Sequence, residues 1–263
     1  KGVPVMVYNP VSASRKETVT ATIPVDKTPR SVSVYGPDNR QVKAQIDRVA
    51  DGKATVSFSA EVPAVSLSVF DVRFSSKAPA ASSLKATENS IENSVYRVTL
   101  DSNGDIASIV DKRYDRELVD GAFRLAVFDK NESYWWPSWE IHKAVLDREP
   151  RGITGNVRTS VERDGEAAAT LKVERTDGDS RFIQYITLHD GAADDRIDIE
   201  NVIDWDSPAT LLKAEFNTAV SAPVATYDLG LGRIERGNNT ETAFEVPAQY
   251  WATSATVTMA SRS

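Results

Sequence analysis

Two histidines, a knot of tryptophans and a scatter of carboxylates are the side chains in this sequence that could do chemistry. Breaking a glycosidic bond with retention needs two carboxyl groups set roughly 5–5.5 Å apart around the scissile bond. The pairs close in sequence are Asp194/Asp195, Asp204/Asp206 and Glu235/Glu241, but among 38 acidic residues such neighbours arise by chance. On an extended chain Asp194 and Asp195 point to opposite faces, whereas Asp204 and Asp206 share one. Solvated turns and strand ends are the simpler reading of all three pairs. Asp190, Asp194, Asp195 and Asp198 have the acidity for calcium without the spacing of a helix-loop-helix calcium loop.

His142 and His189 are the whole histidine inventory, and cysteine is absent. A zinc site would need both histidines plus carboxylates. A mutarotase-like aldose epimerase would use histidine as acid and a carboxylate as base. Histidines so far apart in sequence read more simply as surface or half-buried side chains, so no metal site is expected in this chain. The run Tyr134-Trp135-Trp136-Pro137-Ser138-Trp139-Glu140 is more distinctive, holding three of the five tryptophans. Indole faces stack on the C–H faces of sugars while a neighbouring Glu bonds hydroxyls. Trp135, Trp136, Trp139 and Glu140 are therefore candidates for substrate contact or for a domain interface.

The bulk properties narrow the partners. A net charge of −7 over 263 residues repels a phosphate backbone and anionic lipid, so neither nucleic acid nor membrane is an expected partner. No run of 18 apolar residues and no basic-then-apolar leader is present. Opening on Lys1 instead of Met reads as a processed chain or a piece of a longer one. The lack of cysteine suits a cytoplasmic or a bacterial periplasmic location equally. Asn131-Glu132-Ser133 and Asn238-Asn239-Thr240 are glycosylation sequons in form only.

The elements that must position these residues are strands. Apolar residues alternate with polar ones at 17–25, 41–47 and 53–60. Val65, Leu67 and Val69 continue the pattern, which then shifts to Phe70, Val72 and Phe74; such a shift predicts a bulge or a change of sheet. Turn formers at Thr28-Pro29, 36–39 and Asp51-Gly52 separate the runs, and residues 1 to about 75 read as a small β-sandwich. The stretch 75–87 reads as a linker. Strands are predicted again at 95–100, 106–110, 123–128, 157–162, 168–174, 181–188, 197–204, 211–216 and 242–246. Asp164-Gly165, Asp177-Gly178 and Asp190-Gly191 are the hairpin turns, and no amphipathic helix is visible. The fold class is all-β.

Four segments, in order, resemble the C-terminal β region of glycoside hydrolase family 38, the α-mannosidases. The first is Val7-Tyr8-Asn9-Pro10-Val11 with Arg15. The second runs from Ile91-Glu92-Asn93 through Tyr96-Arg97-Val98, Gly104-Asp105-Ile106 and Asp111-Lys112 to Arg116-Glu117-Leu118. The third joins Asn201-Val202-Ile203-Asp204-Trp205 to Leu211-Leu212-Lys213 and Phe216. The fourth joins Tyr227, Gly232, Ile234-Glu235-Arg236, Phe244-Glu245-Val246-Pro247 and Trp251. Phe128-Asp129 and the aromatic run are similar to a further stretch that in some relatives faces the catalytic domain. Pro137 departs from the aspartate of that pattern, and Ser207 stands where an acid often follows the tryptophan of the third segment.

The resemblance implies a small β-sandwich over 1–76 and a galactose mutarotase-like supersandwich over 77–263, cut short at its C-terminal end. It implies no catalytic residue in this chain. The aspartate nucleophile and the zinc ligands would belong to a catalytic domain before Lys1, which would also be this chain's partner, together with mannose-containing glycans. The parent would hydrolyse terminal α-mannosides with retention, and this stretch alone would be inactive. A free-standing carbohydrate-binding module built on the tryptophans and the epimerase remain as alternatives.

Overall fold

Alternation of β-branched and polar residues makes extended strands, because a pleated backbone sends successive side chains to opposite faces. The computed structural model describes residues 2–79, 81–131, 136, 141–191, 193–237, 257 and 258. Two compact units divide the chain, Lys1–Phe216 and Asn217–Ser263.

The first unit opens with seven strands: β1 (Val3–Asn9), β2 (Arg15–Pro24), β3 (Ser31–Tyr35), β4 (Gln41–Val42), β5 (Ala44–Ala50), β6 (Lys53–Val62) and β7 (Ser66–Ser75). They form two antiparallel sheets, ordered β1-β7-β3-β4 and β2-β6-β5. Val34, Val56, Phe58, Phe70 and Val72 fill the space between them. The Phe58 and Phe70 rings pack tilted, 5.0 Å between centroids.

The expected bulge in β7 is absent. β7 pairs with β1 without interruption from Val72 opposite Val3 to Ser66 opposite Asn9. Phe70 and Val72 point into the core, while Leu67 and Val69 point outward from the same straight strand. What looks in sequence like a change of register is a strand apolar on both faces.

A second sandwich follows: β8 (Lys85–Thr87), β9 (Ser90–Glu92), β10 (Tyr96–Leu100), β11 (Ile106–Asp111), β12 (Arg116–Glu117) and β13 (Val119–Asp129), then one helical turn, α1 (Lys143–Leu146). It continues through β14 (Arg151–Gly152), β15 (Gly155–Asp164), β16 (Ala168–Asp177), β17 (Ser180–His189), β18 (Ile197–Asp204) and β19 (Thr210–Thr218). One sheet runs β14-β13-β11-β10-β9-β8, with β12 on β11 and β19 on β13; the other is the meander β15-β16-β17-β18. Ile91, Val98, Ile106, Leu171, Val173, Ile186 and Leu188 are buried between them. A tight turn at Gly178, φ 57°, joins β16 to β17. This is the all-β class expected, a small sandwich followed by a large antiparallel supersandwich.

Inside the larger sandwich sits a buried ion pair. The guanidinium of Arg175 donates to Asp105 at 2.5 Å and to Gln184 Oε1 at 3.0 Å. Burial pushes Asp105 up, against the pull of Arg175.

In the second unit, β20 (Val224–Asp228) pairs with β21 (Arg233–Gly237) and with β22 (Val257–Thr258). The strand expected at 242–246 lies outside the described residues.

Leu171 is fully buried, so Leu171→Ala should destabilise the fold by about 2–5 kcal/mol. Thr22→Ala, at an exposed position of β2, should stay within about 0.5 kcal/mol of wild type. Urea unfolding measures both, and a Leu171 variant as stable as the Thr22 variant would contradict this packing.

Candidate functional site

Polar side chains are most concentrated where the two sandwiches of the first unit meet. The outward face of the β2-β6-β5 sheet carries Thr18, Gln45, Asp47, Ser57 and Ser59, and the last two are buried despite being serines. Opposite lie the β15–β16 turn and the end of β17. Gln45 Oε1 accepts the backbone N–H of both Ala167 and Ala168, each at 2.8 Å, while its Nε2 donates to Asp47 at 2.7 Å. Arg163 reaches the same Asp47 at 3.4 Å, and Ser57 Oγ donates to it at 2.5 Å. A Cβ at Gly165 would collide with the Gln45 amide, and one at Gly191 would come within 2.7 Å of Ser59 Oγ. Glycine is needed at both because the two surfaces approach so closely.

His189 stands at the centre of this seam. Its Nδ1 lies 2.9 Å from Thr18 Oγ1 and its Nε2 2.8 Å from Asp198 Oδ2. A neutral ring satisfies both, donating from Nε2 and accepting at Nδ1. Arg196 joins the same cluster, 2.8 Å from Glu17 and 3.0 Å from Asp198. Burial pulls the His189 imidazole below its ordinary value; Asp198 opposes that shift and Arg196 adds to it. Asp190 accepts from Ser83 Oγ and from the Gly191 N–H, with Lys43 at 3.5 Å.

The four acids considered for calcium are thus divided. Asp190 and Asp198 serve the seam. Asp194 accepts from Ser94 at 3.3 Å through its side chain, and its backbone carbonyl accepts from Asn93. Among the described residues no three His, Cys, Asp or Glu side chains gather as metal ligands, and both His189 nitrogens are engaged. Asp204 and Asp206 flank Trp205 at the exposed end of β18. Glu241 lies outside the described residues.

Of the aromatic candidates, Trp136 is 61% exposed. Trp135, Trp139 and Glu140 lie outside the described residues. At the end of β13, Arg151 bridges Asp129 and Asp177, and Arg148 donates to the Asp129 carbonyl at 2.9 Å. Asn131 is buried, and the rest of its sequon lies outside the described residues. His142 is exposed ahead of α1.

The residues carrying the family resemblance work as clasps. Asn9 Nδ2 donates to the carbonyls of Ala13, Val62 and Pro63, and its Oδ1 accepts the Val11 N–H. Asn93 donates to the carbonyls of His189 and Asp194 and accepts from Val95 and Tyr96. Glu92 is held down at about 2 by Lys112 first and then Arg97. Glu117 accepts the N–H groups of Ile109, Leu118 and Val119. These roles were not legible in sequence; asparagine beside proline is the one local hint of a turn clasp.

A cavity of about 460 Å³ lies beside the seam, lined among others by Arg30, Gln41, Lys77, Asp164 and Glu166. None of the buried unpartnered polar atoms among the described residues lines it.

Fold and seam together define an all-β protein whose first unit joins two antiparallel sandwiches through polar contacts. Residues 91–259 match the profile of the glycosyl hydrolases family 38 C-terminal domain, and the chain belongs to that family. Alpha-mannosidase G of Dictyostelium discoideum is 27% identical over 176 residues, 62% of this chain and 16% of that protein. Alpha-mannosidase 2C1 of Mus musculus is 27% identical over 180 residues, 64% of this chain and 17% of the relative. The matched stretch of the chain thus spans about a sixth of the length of these relatives. The crystal structure of an alpha-mannosidase from Enterococcus faecalis V583 superposes with a TM-score of 0.64 at 15% identity, covering 93% of this chain and 34% of that one. The likeness of fold therefore extends to the small sandwich.

Because folding lowers the His189 value from 6.5, the unfolded chain takes up that proton first as pH falls. The His189 contribution to stability is complete above 6.5 and is lost below it, ahead of the loss from Glu92, which sets in only under 4.5. Thermal melts between about pH 7.5 and pH 5 should show the decline, and His189→Gln should flatten it. An unchanged slope in the variant would assign the titration elsewhere.

Proposed function

We propose that this chain is the non-catalytic β region of an α-mannosidase-like glycoside hydrolase, bracing the catalytic domain and lining part of its sugar cleft. The observation that carries the reading is the use made of the reactive side chains. His189, Asp190 and Asp198 hold the seam, and Asn9, Asn93 and Glu117 clasp turns, while the family match spans 91–259. On this reading the parent hydrolyses terminal α-mannosides with retention. Its partners are the N-terminal catalytic domain and mannose-containing glycans. On the same reading, zinc and the aspartate nucleophile belong to that domain.

One observation favours direct sugar contact. Trp136 is largely exposed in the chain that follows β13. A tryptophan so placed can contribute to a cleft completed by another domain, without binding sugar by itself.

The isolated chain, incubated with zinc and an aryl α-mannoside, should release no more aryl alcohol than a heat-treated control. Turnover would overturn the non-catalytic reading. Manno-oligosaccharides should leave its tryptophan fluorescence unchanged. Saturable quenching that Trp136→Ala abolishes would instead make the chain a carbohydrate-binding module in its own right.

A further inference from the structure

The small sandwich has two outer faces of opposite character. The β2-β6-β5 face is polar and meets the seam. On the other, the ribbon of β1 and β7 is apolar and open as far as Val69, beyond which Asp71 and Arg73 form an ion pair on the same face. Register sets Met6 opposite Val69 and Tyr8 opposite Leu67, so their side chains form one patch, with Val65 and Val11 at its end. Their exposures are 66%, 51%, 60%, 59%, 64% and 42% in that order. Single exposed apolar side chains are ordinary, but a contiguous set on one sheet face marks a surface that something covers.

Two further features single this face out. β1 is the edge strand of its sheet, yet its sequence, Val3-Pro4-Val5-Met6-Val7-Tyr8-Asn9, carries no charge. Exposed edges are normally protected by charged side chains, bulges or short strands; here Pro4 is the sole such device. Val65 adopts a φ of 45° in the turn before β7. A β-branched residue is strained there, where Gly or Asn would sit without cost. The strained residue is also one of the most exposed of the patch.

We infer that this β1–β7 face is where the catalytic domain of the parent glycoside hydrolase docks, an inference that rests on the function proposed above. Covalent geometry favours that occupant. A catalytic domain ahead of β1, as the proposed function requires, would arrive at this sheet edge and meet the patch at high effective concentration. A second copy of the chain is disfavoured, because each carries a net charge of −7. The matched stretch of the chain spans about a sixth of its relatives' length, which leaves ample protein to provide the cover.

The chain has no cysteine, so one can be introduced as a probe. Leu67→Cys reports on the patch and Thr22→Cys on the opposite sheet. Each is placed in the 263-residue chain and in the parent polypeptide that carries the catalytic domain. Maleimide labelling is followed peptide by peptide. In the parent, Leu67→Cys should label roughly tenfold more slowly or worse than in the 263-residue chain, as a site freed only by rare local opening must. Thr22→Cys provides the reference rate. Equal labelling of Leu67→Cys in both proteins overturns the inference. So does concentration-dependent dimerisation of the 263-residue chain that shields Leu67→Cys, which would assign the face to a second copy.

Assay of the parent on an aryl α-mannoside separates the two claims. A parent that is active but unshielded at Leu67→Cys refutes the docking face alone. A parent that is shielded but inactive refutes the α-mannosidase reading and leaves the docking face standing.

Discussion

The contact on which the larger architecture turns is the acceptance of two backbone N–H groups, Ala167 and Ala168, by the side chain of Gln45. Those donors stand at the turn into β16 and its first residue. Left buried and unpaired, each would cost about 1–3 kcal/mol. One amide from the other sandwich satisfies both, which ties the two sandwiches at this point. The rest of the seam surrounds that tie: glycine at 165 and 191, the His189–Thr18 contact, and Asp190 held by Ser83 and Lys43. Polar contacts of this directionality set orientation, while the apolar cores on either side provide most of the stability.

The same logic explains what the family signature is made of. Sandwich strands satisfy their own backbone groups through ladders; the turns between them do not. Asn9 closes the β1–β2 loop onto the end of β6, Asn93 ties the turn before β10 to the segment after β17, and Glu117 collects three N–H groups beside β11. Asn and Glu suit these places because each side chain can engage several backbone groups at once. A motif with the look of chemistry is here a set of fasteners.

Burial also divides the faces of the small sandwich by a rule other than hydropathy. Ser57 and Ser59 are enclosed, while Met6 and Leu67 are open. The serines are covered because their sheet faces the second sandwich through hydrogen bonds. The apolar ribbon is open because no described element of this chain packs on it.

Many strand positions and the all-β class were legible in the sequence, because period-two alternation and turn chemistry are local properties of the backbone; Val3–Asn9, Ser31–Tyr35, Val224–Asp228 and Arg233–Gly237 were not, and the stretch 75–87 read as a linker contains β8. The family was legible too, through Asn9-Pro10 and the segment from Glu92 to Glu117. The straight run of β7 was not, since a strand apolar on both faces and a bulged strand produce the same letters. Nor was the fate of the candidate site. His189 reads as an isolated imidazole until folding brings Thr18 from 171 residues away and Asp198 from the next strand. Which titratable groups meet, and therefore whether they react or merely fasten, depends on long-range packing that no local pattern encodes; only the tertiary structure decided it.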